Sequence, residues 1–94
     1  MVVELDKTCE VISSLANVNK EDILSDKRAW PLPACRDVLF MHYRKLGFSG
    51  NSIGQMFNRD HSTVFSGINR LKSWIDAHDK FVTQLYESFN DECG

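Results

Sequence analysis

Along almost the whole chain the apolar residues recur at steps of three or four, the spacing that stacks side chains on one face of an α-helix. Over Val3–Ala16 the stripe runs through Leu5, Cys9, Ile12 and Ala16, with Val11 and Leu15 beside it. The "NVN" that follows ends this helix. Asn19 can cap a short second helix over Lys20–Leu24, because its side chain can accept a backbone N–H and Glu21 and Asp22 suit the positive end of the helix dipole. A basic, proline-bearing loop, "SDKRAWPLPA", leads into a third helix with Pro33 in its first turn, which runs to about Leu46 and is stopped by Gly47. Its core stripe reads Ala34, Val38, Met41 and Leu46, broadened by Leu39 and Phe40, whereas Arg36, Arg44 and Lys45 lie off it.

The stretch "SGNSIGQMF" has room for about two turns of helix starting at Ser49 or Gly50, and a tight "NRD" turn follows it. A longer helix then begins with Asp60 as N-cap, its carboxylate placed to accept from an N–H two or three residues on, and Val64, Ile68, Leu71 and Ile75 form its stripe. The last helix, over about residues 77–89, buries Phe81, Leu85 and Phe89, with Val82 and Tyr86 in a neighbouring row. No run of alternating β-branched residues, no internal repeat and no linker interrupts this pattern. The expectation is one all-α domain over residues 1–94, of about six helices with a core over about 3–89. A short helix, a tight turn and a longer helix with a polar start form the outline of a helix-turn-helix.

Composition narrows the class. Apolar residues at 43% and charged residues at 26% are ordinary for a globular protein, and no run approaches the roughly 18 apolar residues of a membrane span. The start "MVVELDKTCEV" lacks the basic n-region and apolar h-region of a signal peptide, so a cytoplasmic location is expected. Cys9, Cys35 and Cys93 lack C-x-x-C spacing and are odd in number, which predicts reduced thiols, two buried and one in the tail.

The net charge of −2 has the wrong sign for a protein whose affinity rests on phosphates. That average hides a segregation. Residues 27–72 hold Lys27, Arg28, Arg36, Arg44, Lys45, Arg59, Arg70 and Lys72 against Asp37 and Asp60, an excess of +6, while the flanks hold an excess of −8. Such a block is either a solvated surface or a basic face for a polyanion with the acidic ends turned away.

Arg59, Asp60, His61, Ser62 and Thr63 form the densest polar cluster, "RDHST". As a Ser-His-Asp site it fails on geometry, since consecutive helical residues point about 100° apart. As a metal site it lacks partners, because none of His42, His61 and His78 has a ligand residue four positions away. No Walker-type glycine loop is present, so no enzymatic activity, metal or cofactor is expected. The first turn of a groove-reading helix makes better use of these residues. Asp60 can accept from a base amino group, His61 can donate to or pack on base edges, the Thr63 methyl can meet a thymine methyl, and Arg59 can clamp a phosphate or a guanine. The plainer alternative is that Asp60 caps, Ser62 and Thr63 fill the first turn, and Arg59 is a solvated base.

"RDHSTV" resembles the signature that opens the recognition helix in the C-terminal DNA-binding domain of the bacterial replication initiator DnaA. "VNKEDILSDKR" (18–28), Arg36 at the start of the third helix, and "SIGQMF" before the signature follow in the same order, so the resemblance covers about residues 3–89. It implies a Trp-repressor-like helix-turn-helix fold and recognition of a nonamer box in double-stranded DNA. Asp60, His61, Ser62 and Thr63 match positions that touch bases and adjoining phosphates. Arg59 matches the basic start of the signature, and Arg36, Arg70, Ser49 and Asn51 match positions near the DNA backbone. Lys72 is a further candidate phosphate contact, together with Arg44. Two positions depart from the family pattern. Ala34 stands where a further Arg that enters the minor groove is usual, leaving Arg28 or Lys27 of the loop for that role. Asn58 stands where two glycines are common, which shortens the turn by one residue and implies a tilt of the recognition helix. The competing expectation is a protein-interaction module that keeps the fold without binding DNA, with other replication or regulatory proteins as partners.

Overall fold

A computed structural model describes residues 3–93 and places six helices among them: α1 (Val3–Ala16), α2 (Lys20–Leu24), α3 (Leu32–Lys45), α4 (Gly50–Phe57), α5 (His61–Asp76) and α6 (Lys80–Cys93). No strand occurs among the described residues, so the fold is all-α, as the periodicity predicts. None of these helices is long and apolar enough to cross a membrane.

The centre of the fold is α3, which packs against each of the other five helices. A helix surrounded on all sides must be buried on all sides. Ala34, Cys35, Val38, Leu39, Phe40 and Tyr43 are accordingly sealed from solvent, and so are Arg36 and Asp37, which the stripe alone would have left outside. Around α3 close Cys9 and Ile12 from α1, Ile23 from α2, Ile53 and Phe57 from α4, Val64, Ile68 and Leu71 from α5, and Val82, Leu85 and Phe89 from α6. The Tyr43 hydroxyl, carried inside by this packing, shares a 2.8 Å hydrogen bond with Thr8 on α1.

Local signals set most boundaries. Ser49 caps α4 by accepting from the Ser52 N–H at 3.1 Å. Asn58 ends it in the left-handed region at φ 56, a conformation asparagine tolerates. The Arg59 N–H then donates to the Gly54 carbonyl at 2.7 Å, and a Cβ on Gly54 would stand 2.4 Å from the Arg59 carbonyl oxygen. Glycine at 54 is therefore what lets the turn fold back on α4.

Four expectations need correction. Asn19 and Asp60 occupy N-cap positions, but neither side chain bonds a helix N–H. Leu46 lies just beyond the last turn of α3, off the stripe, and is 60% exposed. The final helix begins at Lys80, because Ala77 caps α5 and His78 takes a left-handed φ of 60. Asp79 then caps α6 through the Val82 N–H at 2.9 Å, a register that turns Val82, Leu85 and Phe89 inward and leaves Phe81 at the surface. Cys9 and Cys35 are buried, which pushes their thiols up to about 11 and about 12; Cys93 is partly buried, and none of the three is in a disulfide.

Candidate nucleic-acid interface

Through the turn at 58–60, α4 packs directly against α5. Val64, Gly67, Ile68 and Leu71 form the buried side of α5, and the opposite side presents His61, Ser62, Phe65, Ser66, Asn69 and Lys72 to solvent. Asp60 and Thr63 are also exposed, so the first turn projects four polar residues in sequence. The Asp60 carbonyl accepts from the N–H groups of Thr63 at 3.0 Å and Val64 at 3.3 Å, which starts the helix without help from the side chain. Its carboxylate instead accepts from the Ser62 hydroxyl at 2.7 Å and lies 3.4 Å from His61 Nδ1. That hydroxyl bond, more than any other contact, holds the Asp60 carboxyl below its usual range. Ser62 thus donates to Asp60 and not to His61, so the three groups lack the nucleophile-to-base order that a catalytic triad requires. Among the described residues no group of three His, Cys, Asp or Glu side chains could hold a metal ion.

A family model described as the bacterial dnaA protein helix-turn-helix matches residues 5–71. The chain belongs to the bacterial DnaA helix-turn-helix family. It is 36% identical over 85 residues to the chromosomal replication initiator protein DnaA of Lachnoclostridium phytofermentans, a match covering 88% of this chain and 19% of that initiator. Against DnaA 1 of Chlamydia muridarum it is 38% identical over 65 residues, with 67% and 14% covered. Against DnaA of Thermosipho africanus it is 31% identical over 71 residues, with 74% and 16% covered. The chain spans a fifth or less of the length of these initiators.

In this DnaA-type DNA-binding domain α4 and α5 are the two helices of the motif, and the bases around them divide into two groups. Arg36 is only 6% exposed, and its guanidinium donates to the carbonyls of Ile23 at 2.7 Å, Asp22 at 2.9 Å and Ser25 at 2.9 Å. Although off the apolar stripe, it is buried all the same, and it closes the C-terminal end of α2. Arg59 donates to the Phe57 carbonyl at 2.8 Å and to the same Ser25 carbonyl at 2.6 Å, tying the turn to α2. Arg70 forks onto the buried Asp37 and lies 5.8 Å from the centre of the Trp74 ring. Arg28 and Lys72 belong to the second group and face solvent. Lys27 pairs with Asp22 at 3.1 Å, Lys45 donates to the Tyr86 hydroxyl, and Arg44 lies 5.9 Å from the centre of the Phe65 ring. Ser49 and Asn51 are exposed at the start of α4.

Arg28, Arg36, Asp37, Arg59, Thr63 and Arg70 line a cleft of about 420 Å³ beside the start of α5. Ala34, where the resemblance leads one to expect a further arginine, is fully buried. Phe65, Ser66 and Asn69 escaped the sequence reading, although their places off the Val64, Ile68 and Leu71 stripe already put them on the outer face.

Proposed function

We propose that this chain binds double-stranded DNA sequence-specifically, with the first turn of α5 in the major groove, in the manner of DnaA-box recognition in replication initiation or its regulation. The observation that carries the reading is the outward presentation of Asp60, His61, Ser62 and Thr63 directly after a turn fixed by Gly54 and Asn58. His61 and Thr63 choose bases by edge and methyl contacts, and Asp60 accepts from a base amino group once Ser62 yields it. Lys72, Arg28 and Arg44, with Ser49 and Asn51 at the α4 start, hold phosphates and fix the register. Arg36 and Arg59 shape the fold instead, since carbonyls at the end of α2 hold their guanidinium groups out of full solvent contact. Arg44, bonded to the Phe48 carbonyl, stays exposed. Such a role is a cytoplasmic one.

The test is fluorescence anisotropy on duplexes carrying an initiator nonamer box, a scrambled box and a randomised pool, at two salt concentrations. The box or one enriched sequence should bind more tightly than the scrambled duplex, and His61→Ala should weaken it by about 1–3 kcal/mol. Absence of duplex binding at low salt would sink the reading.

One observation favours a second reading, a protein-interaction module on the same fold. Trp30, 55% exposed, meets Trp74 edge-on at 5.4 Å and Phe81 at 6.0 Å, which makes an aromatic surface away from the first turn of α5. That reading predicts binding to a protein partner that salt leaves unchanged and Trp30→Ala abolishes.

A further inference from the structure

Asp37, in the second turn of α3, is fully buried. Both of its carboxylate oxygens accept from Arg70: Nε donates to Oδ2 at 2.8 Å and Nη2 to Oδ1 at 3.0 Å. One turn earlier on α5, Gly67 comes so close that a Cβ there would stand 2.5 Å from Asp37 Oδ1 and 2.8 Å from the Phe40 ring. Gly67 therefore fixes how deeply α5 sits on α3. The Arg70 fork fixes its rotation, because planar guanidinium donors match both oxygens of a carboxylate in one orientation. A second hold acts at the helix start, where Arg59 ties the turn to the Phe57 and Ser25 carbonyls.

Stability does not explain the buried charge. Burial drives the Asp37 carboxyl up to about 6, and well-packed apolar residues often replace buried ion pairs without loss. What the pair supplies is orientation. A roll of about 10° about the helix axis moves a side-chain tip roughly 5 Å from that axis by about 1 Å, enough to lose a hydrogen bond to a base.

We propose that Asp37 is a positioning residue for DNA reading: with Gly67 and Arg70 it sets the depth and rotation of α5, and through them where Asp60, His61 and Thr63 meet base edges. The inference rests on the reading of α5 as the recognition helix. The test measures affinity for a box duplex and a scrambled duplex over a series of salt concentrations, using the full chain, Asp37→Asn and Arg70→Lys. Lysine keeps the charge but loses the fork, and at a half-exposed position it leaves a chain that folds.

Both variants should lower the ratio of box to scrambled affinity about tenfold, with scrambled affinity within about twofold and the salt slope unchanged. An equal loss on both duplexes overturns the proposal, since that is what a lower folded fraction produces. A box preference retained in Arg70→Lys also overturns it, since a phosphate contact by Arg70 needs only the charge. If the unsubstituted chain prefers no duplex, the recognition reading falls and the positioning role falls with it. If that preference exists and both variants keep it, the positioning role alone is lost.

Discussion

The first turn of α5 and the seam where the same helix lies on α3 hold the same kinds of residue in opposite circumstances. Asp60 stands in water, with its carboxyl held below the usual range by the Ser62 hydroxyl, whereas Asp37 is sealed and pushed up to about 6. Lys72 and Arg28 face solvent, while Arg36 spends its guanidinium on three carbonyls. The basic residues of 27–72 therefore include one population that holds α5 and its turn in place and another that faces solvent. What divides them is whether a carbonyl or carboxylate of the chain holds the head group, which residue type alone does not announce.

The sharpest way to break the comparison is Arg36→Ala. Removing a buried guanidinium that makes three carbonyl bonds should cost about 3–5 kcal/mol in urea denaturation, since bonds from a charged donor contribute about 1.5–3 kcal/mol each and are not fully additive. Asp37 gives the next effect, through pH. A carboxyl whose pKa is raised by folding binds its proton more tightly in the folded chain. The stability it contributes is complete below about pH 4 and is lost as the pH rises through about 6, by about 3 kcal/mol at most. Arg70 and Arg36 face this group and oppose the shift, and Asp37→Asn should remove the slope from melts recorded between pH 4.5 and 7.5.

Gly67→Ala tests the closeness of the seam. Alanine normally favours a helix over glycine, yet here its Cβ meets the Asp37 carboxylate and the Phe40 ring, so a loss of about 1–3 kcal/mol is expected in the same melts. Lys72→Ala, on the outer face, should leave the melting temperature unchanged and flatten the slope of log K against log[salt] by about one. If instead it lowered stability as much as the seam variants, the division between holding and reading residues would fail.

Much of the scaffold was legible because helical spacing and turn chemistry are local. The bounds of α1 and α2, the start of α4 at Ser49 and Gly50, and the core residues Ile12, Val38, Val64 and Ile68 follow from a few neighbouring positions. The displaced α6 register shows where this stops: the left-handed turn at His78 decides whether Phe81 or Val82 faces inward, and histidine does not signal that conformation as glycine would. The first turn of α5 was legible as an exposed cluster. The partners of Arg36, Arg59 and Arg70 were not, because a long side chain reaches groups as far as 34 residues away. One signal was present. Asp37 is an acid inside a basic block and on a helix rich in apolar residues, and burial there demands a cation opposite.

The raised thiols of Cys9 and Cys35 have a practical consequence for optical work on this protein. Burial raises both thiols to about 11 and about 12 and covers them completely, so at neutral pH they stay protonated and react poorly with a maleimide. Cys93, at the far end of α6 and partly exposed, is then the thiol through which a single dye can be attached to the natural sequence. A donor there and an acceptor on either end of a duplex would report by energy transfer which way round the domain sits on its DNA.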